Sequence, residues 1–294
     1  MIIINMKGGL GNQLFQYAAG RALSIRQVKS SESEVILKLD INGYGENNGI
    51  DTMRHYSLSP FNIRANIATN SEIRKLKYPF GIFSKGMRFI KNNIFHQYHL
   101  GFSKTIYEYS RNIYLDGFFQ SEKYFLDNET IIRDDLKLIK PLGVEAKKIL
   151  EQIHLHSQAV SVHVRRGDYV NDANTNQFHG TCSKDYYRDA VDHITSQIGK
   201  DINLYIFSDD IDWVRRNIRF DYPTTYVSSI DIKDYEELYL MSQCDHHIIA
   251  NSSFSWWGAW LDERSSKIIV APKQWLRNKT SAELGILPRS WITL

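Results

Sequence analysis

The chain has 294 residues, 43% of them hydrophobic and 23% charged, the balance of a folded globular protein rather than a disordered one. Its formal net charge of +3 is too small to argue for nucleic acid, and two cysteines, Cys182 and Cys244, supply neither a disulfide framework nor a zinc cluster. No apolar run reaches the roughly 18–20 residues that a bilayer span needs, and the first residues lack a signal peptide's basic leader, so a cytoplasmic protein is expected.

Residues 1–6 read as a strand, followed by the turn Gly8-Gly9-Leu10-Gly11-Asn12-Gln13 and a helix with Leu14, Phe15, Ala18, Ala19 and Ala22 apolar. The turn is similar to a dinucleotide fingerprint, but Leu14 stands where the third glycine belongs. Gly11, Asn12 and Gln13 are candidate ligand contacts there; the alternative is a tight turn with Asn12 capping the helix. Strands fit residues 34–39 and 112–115. Between Glu72 and Glu108 lie seven Lys or Arg and eight aromatics, with no acidic residue. Phe83, Met87, Ile90 and Ile94 recur there at helical spacing, as for a core-facing stripe or a helix resting on anionic lipid. Peripheral contact with a membrane therefore stays open.

The second half alternates regularly. Strands are expected at 159–164, 203–207, 224–227, 246–250 and 267–270, and helices at 183–198, 211–218, 235–244 and 254–261. Four strand–helix alternations with short links argue for a parallel sheet with right-handed crossovers. Ser183 is placed to cap the first of these helices, and Asp231 or Asp234 the third. The polar stretch 141–158 suggests two domains, 1–150 and 151–294.

Three motifs end strands of this second half, where ligands bind in open α/β sheets. In the first, Val160, Val162 and Val164 alternate with Ser161, His163 and Arg165, giving a strand with one apolar and one basic face that breaks at Gly167. Arg165 and Arg166 suit an anion held in bidentate geometry, or a buried ion pair with Asp168. The second, Asn251-Ser252-Ser253-Phe254-Ser255-Trp256-Trp257, opens a helix with hydroxyls, as an anion site or a simple cap. Trp256 and Trp260 lie one turn apart and belong in the core. The third, Ser208-Asp209-Asp210-Ile211-Asp212, could hold a divalent cation, bond a guanine or ribose, or cap a helix.

With these motifs in order, the sequence resembles the α-1,2-fucosyltransferase family in its bacterial, anchorless form. The matching runs are Gly8 to Gln16, His163-Val164-Arg165-Arg166-Gly167-Asp168-Tyr169, Phe207 to Asp210, and Asn251 to Trp257. The resemblance implies an α/β fold of two Rossmann-like domains facing a cleft (GT-B type). Residues 1–150 would mainly bind the acceptor, and residues 151–294 the donor GDP-L-fucose. It further implies inverting, metal-independent transfer, without a cofactor, to the 2-hydroxyl of a galactose in an oligosaccharide or lipid-linked glycan. By position, Arg165 would bind the diphosphate with His163 beside the donor. Ser252, Ser253 and Phe254 would support the phosphates, Asp209 or Asp210 would face the guanosine, and Asn12 would lie near the reacting centre, flanked by Gly11 and Gln13. Asp168 is the nearest carboxylate in sequence to serve as base, or it orients an arginine. Arg166 points to the other strand face and is expected to be structural. Residues 42–55 and 78–104 are where acceptor choice is expected to reside. A metal-dependent transferase using Asp209, Asp210 and Asp212, or a non-catalytic nucleotide- or glycan-binding module, are the competing readings.

Overall fold

The structure is a computed structural model that describes all residues except 32–34, 45–53, 78–93, 98–99, 110–111 and 172, together with the side chains of 29–31, 168, 171 and 173–175. The chain forms two compact units, Met1–Ile139 and Lys140–Leu294, each built on its own parallel sheet. Both are of the expected Rossmann-like α/β class.

The division falls ahead of residue 150 for a packing reason. Helix α4, Val144–Leu155, puts Ala146 and Ile153 into a buried cluster with Ala159, Tyr205, Phe207 and Met241. Those partners belong to the second unit, so the helix goes with them.

The first unit contains β1 (Ile2–Asn5), α1 (Leu10–Ser31), β2 (Leu37–Asp40), β3 (Asn66–Ile67), α2 (Asn70–Lys77), β4 (Ile94–His96), β5 (Ile113–Asp116) and α3 (Glu129–Asp135). Its strands lie in the order β3-β2-β1-β5-β4. The chain runs outward from β1 through β2 to β3 and returns on the other side, so the switch point lies between β1 and β5. The apolar stripe of α1, Leu14, Phe15, Ala18, Ala19 and Ala22, is buried as expected. Gly8 adopts a left-handed φ of 78°, which a side chain would resist. Helix α1 begins at Leu10, and the Asn12 amide already bonds back to the Gly9 carbonyl, so Asn12 lies inside the first turn and does not cap it. Ile94 opens a strand instead of closing a helical stripe; Phe83, Met87 and Ile90 lie outside the described residues. Most of the two expected acceptor segments, 42–55 and 78–104, also lies outside them.

The second unit, after α4, runs β6 (Ala159–Val164), α5 (Gly167–Asn171), α6 (Ala173–His179), α7 (Lys184–Ile198), β7 (Asn203–Ser208), α8 (Ile211–Asn217), β8 (Thr224–Tyr226), α9 (Asp234–Gln243), β9 (His246–Ile248), α10 (Ser253–Trp260) and β10 (Ile269–Ala271). A β11–β12 hairpin (Gln274–Leu276, Lys279–Thr280), α11 (Ser281–Leu284) and β13 (Ile292–Thr293) complete it. The sheet order β13-β10-β9-β6-β7-β8 puts the switch point between β6 and β9. Ser183 caps α7 by accepting from the Tyr186 amide at 3.0 Å. Helix α9 begins differently from expectation: Lys233 is its cap residue, and the Glu236 carboxylate accepts from the Lys233 amide at 2.9 Å. Trp256 and Trp260 stack in the core with ring centroids 6.0 Å apart.

The alternation along β6 does not produce a solvent-facing basic side. All six residues are buried, because helices cover both faces of this parallel sheet. Ser161 and His163 thus become interior polar groups. Ser161 Oγ lies 2.8 Å from His247 Nδ1, and His247 Nε2 lies 3.0 Å from Asp262, which also accepts from Arg264. This Ser–His–Asp sequence of contacts is sealed: Ser161 and His247 are fully buried. No substrate reaches it, so its role is to join β6, β9 and the loop after α10.

Candidate donor site

Two features meet at the carboxyl edge of the second sheet, beside its switch point. From β6 the chain turns through Arg165, Arg166 and Gly167 into α5. From β9 it passes Asn251 and Ser252 into α10. Arg165 Nη1 lies 3.2 Å from Asp209 Oδ2, and the guanidinium sits 5.4 Å from the centre of the Tyr169 ring. The Tyr169 hydroxyl donates to the Asn251 carbonyl at 3.2 Å. Arg165 is thereby tied, through Tyr169, to the residue just before the serines.

Asn251 is buried and fixes three segments at once: its amide donates to the carbonyls of His179, Gly180 and Trp275 at 3.1–3.2 Å. Ser252 accepts from the Phe254 amide at 3.3 Å, so it caps α10, whose first residue is Ser253. The start of this helix carries partial positive charge and is linked to the arginine through Asn251 and Tyr169. His163 packs against Phe254 with ring centroids 5.6 Å apart, and its Nδ1 has no hydrogen-bond partner. Burial, reinforced by the Arg165 charge, pushes its imidazole down to about 3. His163 is therefore neutral at physiological pH, and cannot serve as an acid by carrying an extra proton.

The acidic run divides its work. Asp209 pairs with Arg165 and also accepts from the Arg166 amide at 2.8 Å. Asp210 caps α8 through the Trp213 amide at 3.2 Å and lies 3.5 Å from Arg166 Nε. The Arg166 guanidinium lies over Trp213, 3.5 Å from the ring centre. Among the described residues, no group of three or more His, Cys, Asp or Glu is arranged to hold a metal ion. The Asp168 side chain lies outside the described ones, so its expected role as base has no structural description.

Gly167 lies against the Asp209 carboxylate. A methyl group built on it would overlap the Asp209 carboxylate. Gly167→Ala should push Asp209 off Arg165 and lower kcat/KM about ten- to a hundredfold, because small displacements of positioning groups are costly. Steady-state rates of the folded variant test this; unchanged rates would show that the Arg165–Asp209 geometry is irrelevant to turnover.

Sequence reading missed Glu237, on α9. Its carboxyl is pushed up to about 7, chiefly by burial; Ser228 lowers it through a hydrogen bond, while Asp234 and Asp209 raise it. The folded state holds this proton more tightly than the unfolded chain, whose value is near 4.5. The associated stability is complete below that value and fades as pH rises through the folded one. Glu237→Gln should therefore gain melting temperature relative to the parent at a pH of about 8, but not at about 5. A difference independent of pH would contradict this. The only sequence cue was an acidic pair at a helix start, which also fits ordinary capping.

In the first unit, Gln13 is fully buried and its amide is already committed. It donates to the carbonyls of Gly8 and His55, at 3.1 and 2.8 Å, and accepts from the Ser57 amide at 2.8 Å. It shapes the glycine turn from within. Gly11 is likewise buried, whereas half-buried Asn12 accepts from Gln120 at 2.7 Å. These residues and the donor-side motifs belong to different units, so the sequence-expected set splits in two.

Cations, a helix start and carboxylates thus gather at the carboxyl edge of a parallel α/β sheet, beside its switch point. The sequence matches the model of Glycosyl transferase family 11 over residues 1–294, and the chain belongs to that family of glycosyltransferases. It is 32% identical to the Alpha-1,2-colitosyltransferase of Escherichia coli, covering 100% of this chain and 99% of that protein. It is equally 32% identical to the O-antigen biosynthesis glycosyltransferase WbnK of Escherichia coli, covering 98% and 99%. A Galactoside 2-alpha-L-fucosyltransferase of Caenorhabditis elegans is 32% identical over 55% of this chain and 46% of its own. Among solved structures, the fucosyltransferase NodZ from Bradyrhizobium aligns with a TM-score of 0.44 and 14% identity over 88% of this chain and 91% of that one.

Proposed function

We propose that the protein is an inverting transferase moving L-fucose from GDP-β-L-fucose to the 2-hydroxyl of a galactose, giving an α-1,2 linkage. The second unit takes the donor and the first mainly the acceptor, a galactose-terminated oligosaccharide or lipid-linked glycan. The observation that carries this reading is Arg165, held by Asp209 and facing Tyr169, whose hydroxyl bonds the Asn251 carbonyl two residues before α10. During transfer the bond from the sugar's anomeric carbon to the diphosphate oxygen breaks, and its electron pair leaves with GDP. Preorganised positive charge at that oxygen lowers the barrier. Arg165 supplies it as a full charge, and the helix start with Ser252 and Ser253 as oriented dipoles. His163 and Phe254 wall the donor, Asp209 or Asp210 faces the guanosine, and Asp168 accepts the proton of the incoming hydroxyl. No metal is required in this scheme, and no cofactor.

The name of the colitosyl relative favours a second reading, in which the same site transfers a colitosyl group. Both readings are tested by offering GDP-fucose or GDP-colitose with lactose, N-acetyllactosamine or galactosyl-β-1,3-N-acetylgalactosamine, with and without EDTA. The expected product carries fucose α-1,2-linked to galactose and forms equally well with chelator. Transfer of colitose alone would favour the second reading, and loss of activity in EDTA would restore the metal-dependent one.

Among the described residues no helix is long and apolar enough to cross a membrane. Peripheral contact through a lipid-linked acceptor remains part of the proposal.

A further inference from the structure

The first unit carries an ordered polar row that none of the motifs predicted. The last residues of four neighbouring parallel strands are Asp40 on β2, Asn5 on β1, Asp116 on β5 and His96 on β4. They stand in register: Asn5 pairs with Asp40, His96 pairs with Asp116, and Ile4 pairs with Leu115 one position before Asn5 and Asp116. Two residues earlier on the same face are Ile3, Tyr114 and Ile94, which belong to the apolar cluster under α2. The face therefore changes from apolar to polar at one level, at the carboxyl edge and across the switch point.

Asp116 is the hub. It accepts from Asn5 at 3.0 Å and from Lys7 at 2.8 Å, and its other oxygen lies 3.1 Å from His96 Nδ1. Burial raises its pKa, but Lys7 and Asn5 outweigh that and hold the carboxylate below its ordinary range. Lys7, Asp116 and His96 keep 38%, 26% and 41% of their side chains exposed, so the row opens to solvent. The half-buried Phe118 ring adjoins it, with Lys7 Nζ 4.9 Å from the ring centre. Asp40 is already committed to Tyr114 and Lys77.

We propose that Asn5, Lys7, His96 and Asp116, beside Phe118, form the binding site for the terminal sugar of the acceptor. The inference rests on the reading that the first unit takes the acceptor. The row alternates donors with acceptors and balances its charges, since Lys7 faces Asp116 and Lys77 faces Asp40. A phosphate would meet the Asp116 carboxylate there, which already engages Lys7 and Asn5. Neutral hydroxyls, which both donate and accept, match such a row, and an aromatic ring beside it suits the apolar face of a pyranose. The ligand class is thus a neutral hexopyranose with adjacent hydroxyls, such as a terminal galactose.

The test combines kinetics with direct binding. His96→Ala and Asp116→Asn, each checked for an unchanged melting profile, should raise the acceptor KM at least about tenfold. Donor KM and slow donor hydrolysis should stay near parental values. In parallel, saturation-transfer NMR of methyl β-galactoside should show binding to the parent and its loss in His96→Ala, a readout that needs no turnover. An unchanged acceptor KM with intact folding, galactoside binding equal in parent and variant, or no galactoside binding by the parent would overturn the inference. If the parent binds galactoside through His96 but transfers neither sugar, the proposed reaction fails and this site stands.

Discussion

Arg165→Ala is expected to lower turnover at least about a hundredfold, equivalent to roughly 2.7 kcal/mol of barrier. The guanidinium is held by Asp209 on one side and faces the Tyr169 ring on the other, so it is preorganised before a donor arrives. In the proposed transfer its charge is needed most when the diphosphate leaves, so the loss should fall mainly on kcat. Arg165→Lys should recover only part of the rate, because an ammonium cannot replace a planar fork at a diphosphate. The measurement is kcat and KM for the donor in variants whose melting profile matches the parent. Near-parental kcat in Arg165→Ala would remove the residue from the mechanism.

The second large effect concerns stability. Asp262→Ala should destabilise the second unit by about 3–5 kcal/mol, the range for removing one member of a buried charged network. Asp262 is 3% exposed; it lies 3.0 Å from His247 Nε2 and accepts from Arg264 Nε at 2.9 Å. Its loss would leave the buried His247 Nε2 without its partner and the Arg264 charge short of one of two carboxylates. Burial already lowers the His247 pKa despite the neighbouring carboxylate, which identifies the interior as costly for charge. Ser161→Ala removes only the contact to His247 Nδ1 and should cost about 1–2 kcal/mol, with turnover unchanged. Urea unfolding of both variants, with activity assays on Ser161→Ala, separates the roles. A collapse of turnover in a stable Ser161→Ala protein would mean that the sealed network takes part in chemistry.

Local pattern gave the second unit's skeleton. The strand over β6 has the expected bounds, and α7, α8, α9 and α10 lie within two residues of expectation at each end, whereas α5 and α6 between β6 and α7 were not expected. Buried parallel strands and amphipathic helices carry that information in adjacent residues. What depended on distant partners was not legible. The alternation along β6 looked like a basic face until helices covered both sides. The pairing of Arg165 with Asp209, and the contact of Gly167 with that carboxylate, joins residues that follow two different strands. Asp210 read equally well as metal ligand, base reader or helix cap; one of its oxygens accepts from the Trp213 amide, and the guanosine role stays with the proposal.

The first unit was less readable for the same reason. Its polar row draws Asn5, His96 and Asp116 from three strands whose order, β1-β5-β4, no local pattern announces. The basic, aromatic segment between Glu72 and Glu108 suggested a helix through Ile94, but pairing with β5 makes Ile94 a strand residue. Gln13 looked like a ligand contact from its place in the turn, yet the Ser57 and His55 backbones use its amide.

The central claim is that the second unit's carboxyl edge recognises a diphosphate through Arg165. Calorimetric titration of GDP, GMP and guanosine into the parent and into Arg165→Ala tests it most directly. The parent should bind GDP far more tightly than guanosine, and the substitution should shrink that gap while leaving guanosine affinity unchanged. Equal affinity of the parent for GDP and guanosine, or a gap that survives in Arg165→Ala, would contradict the account.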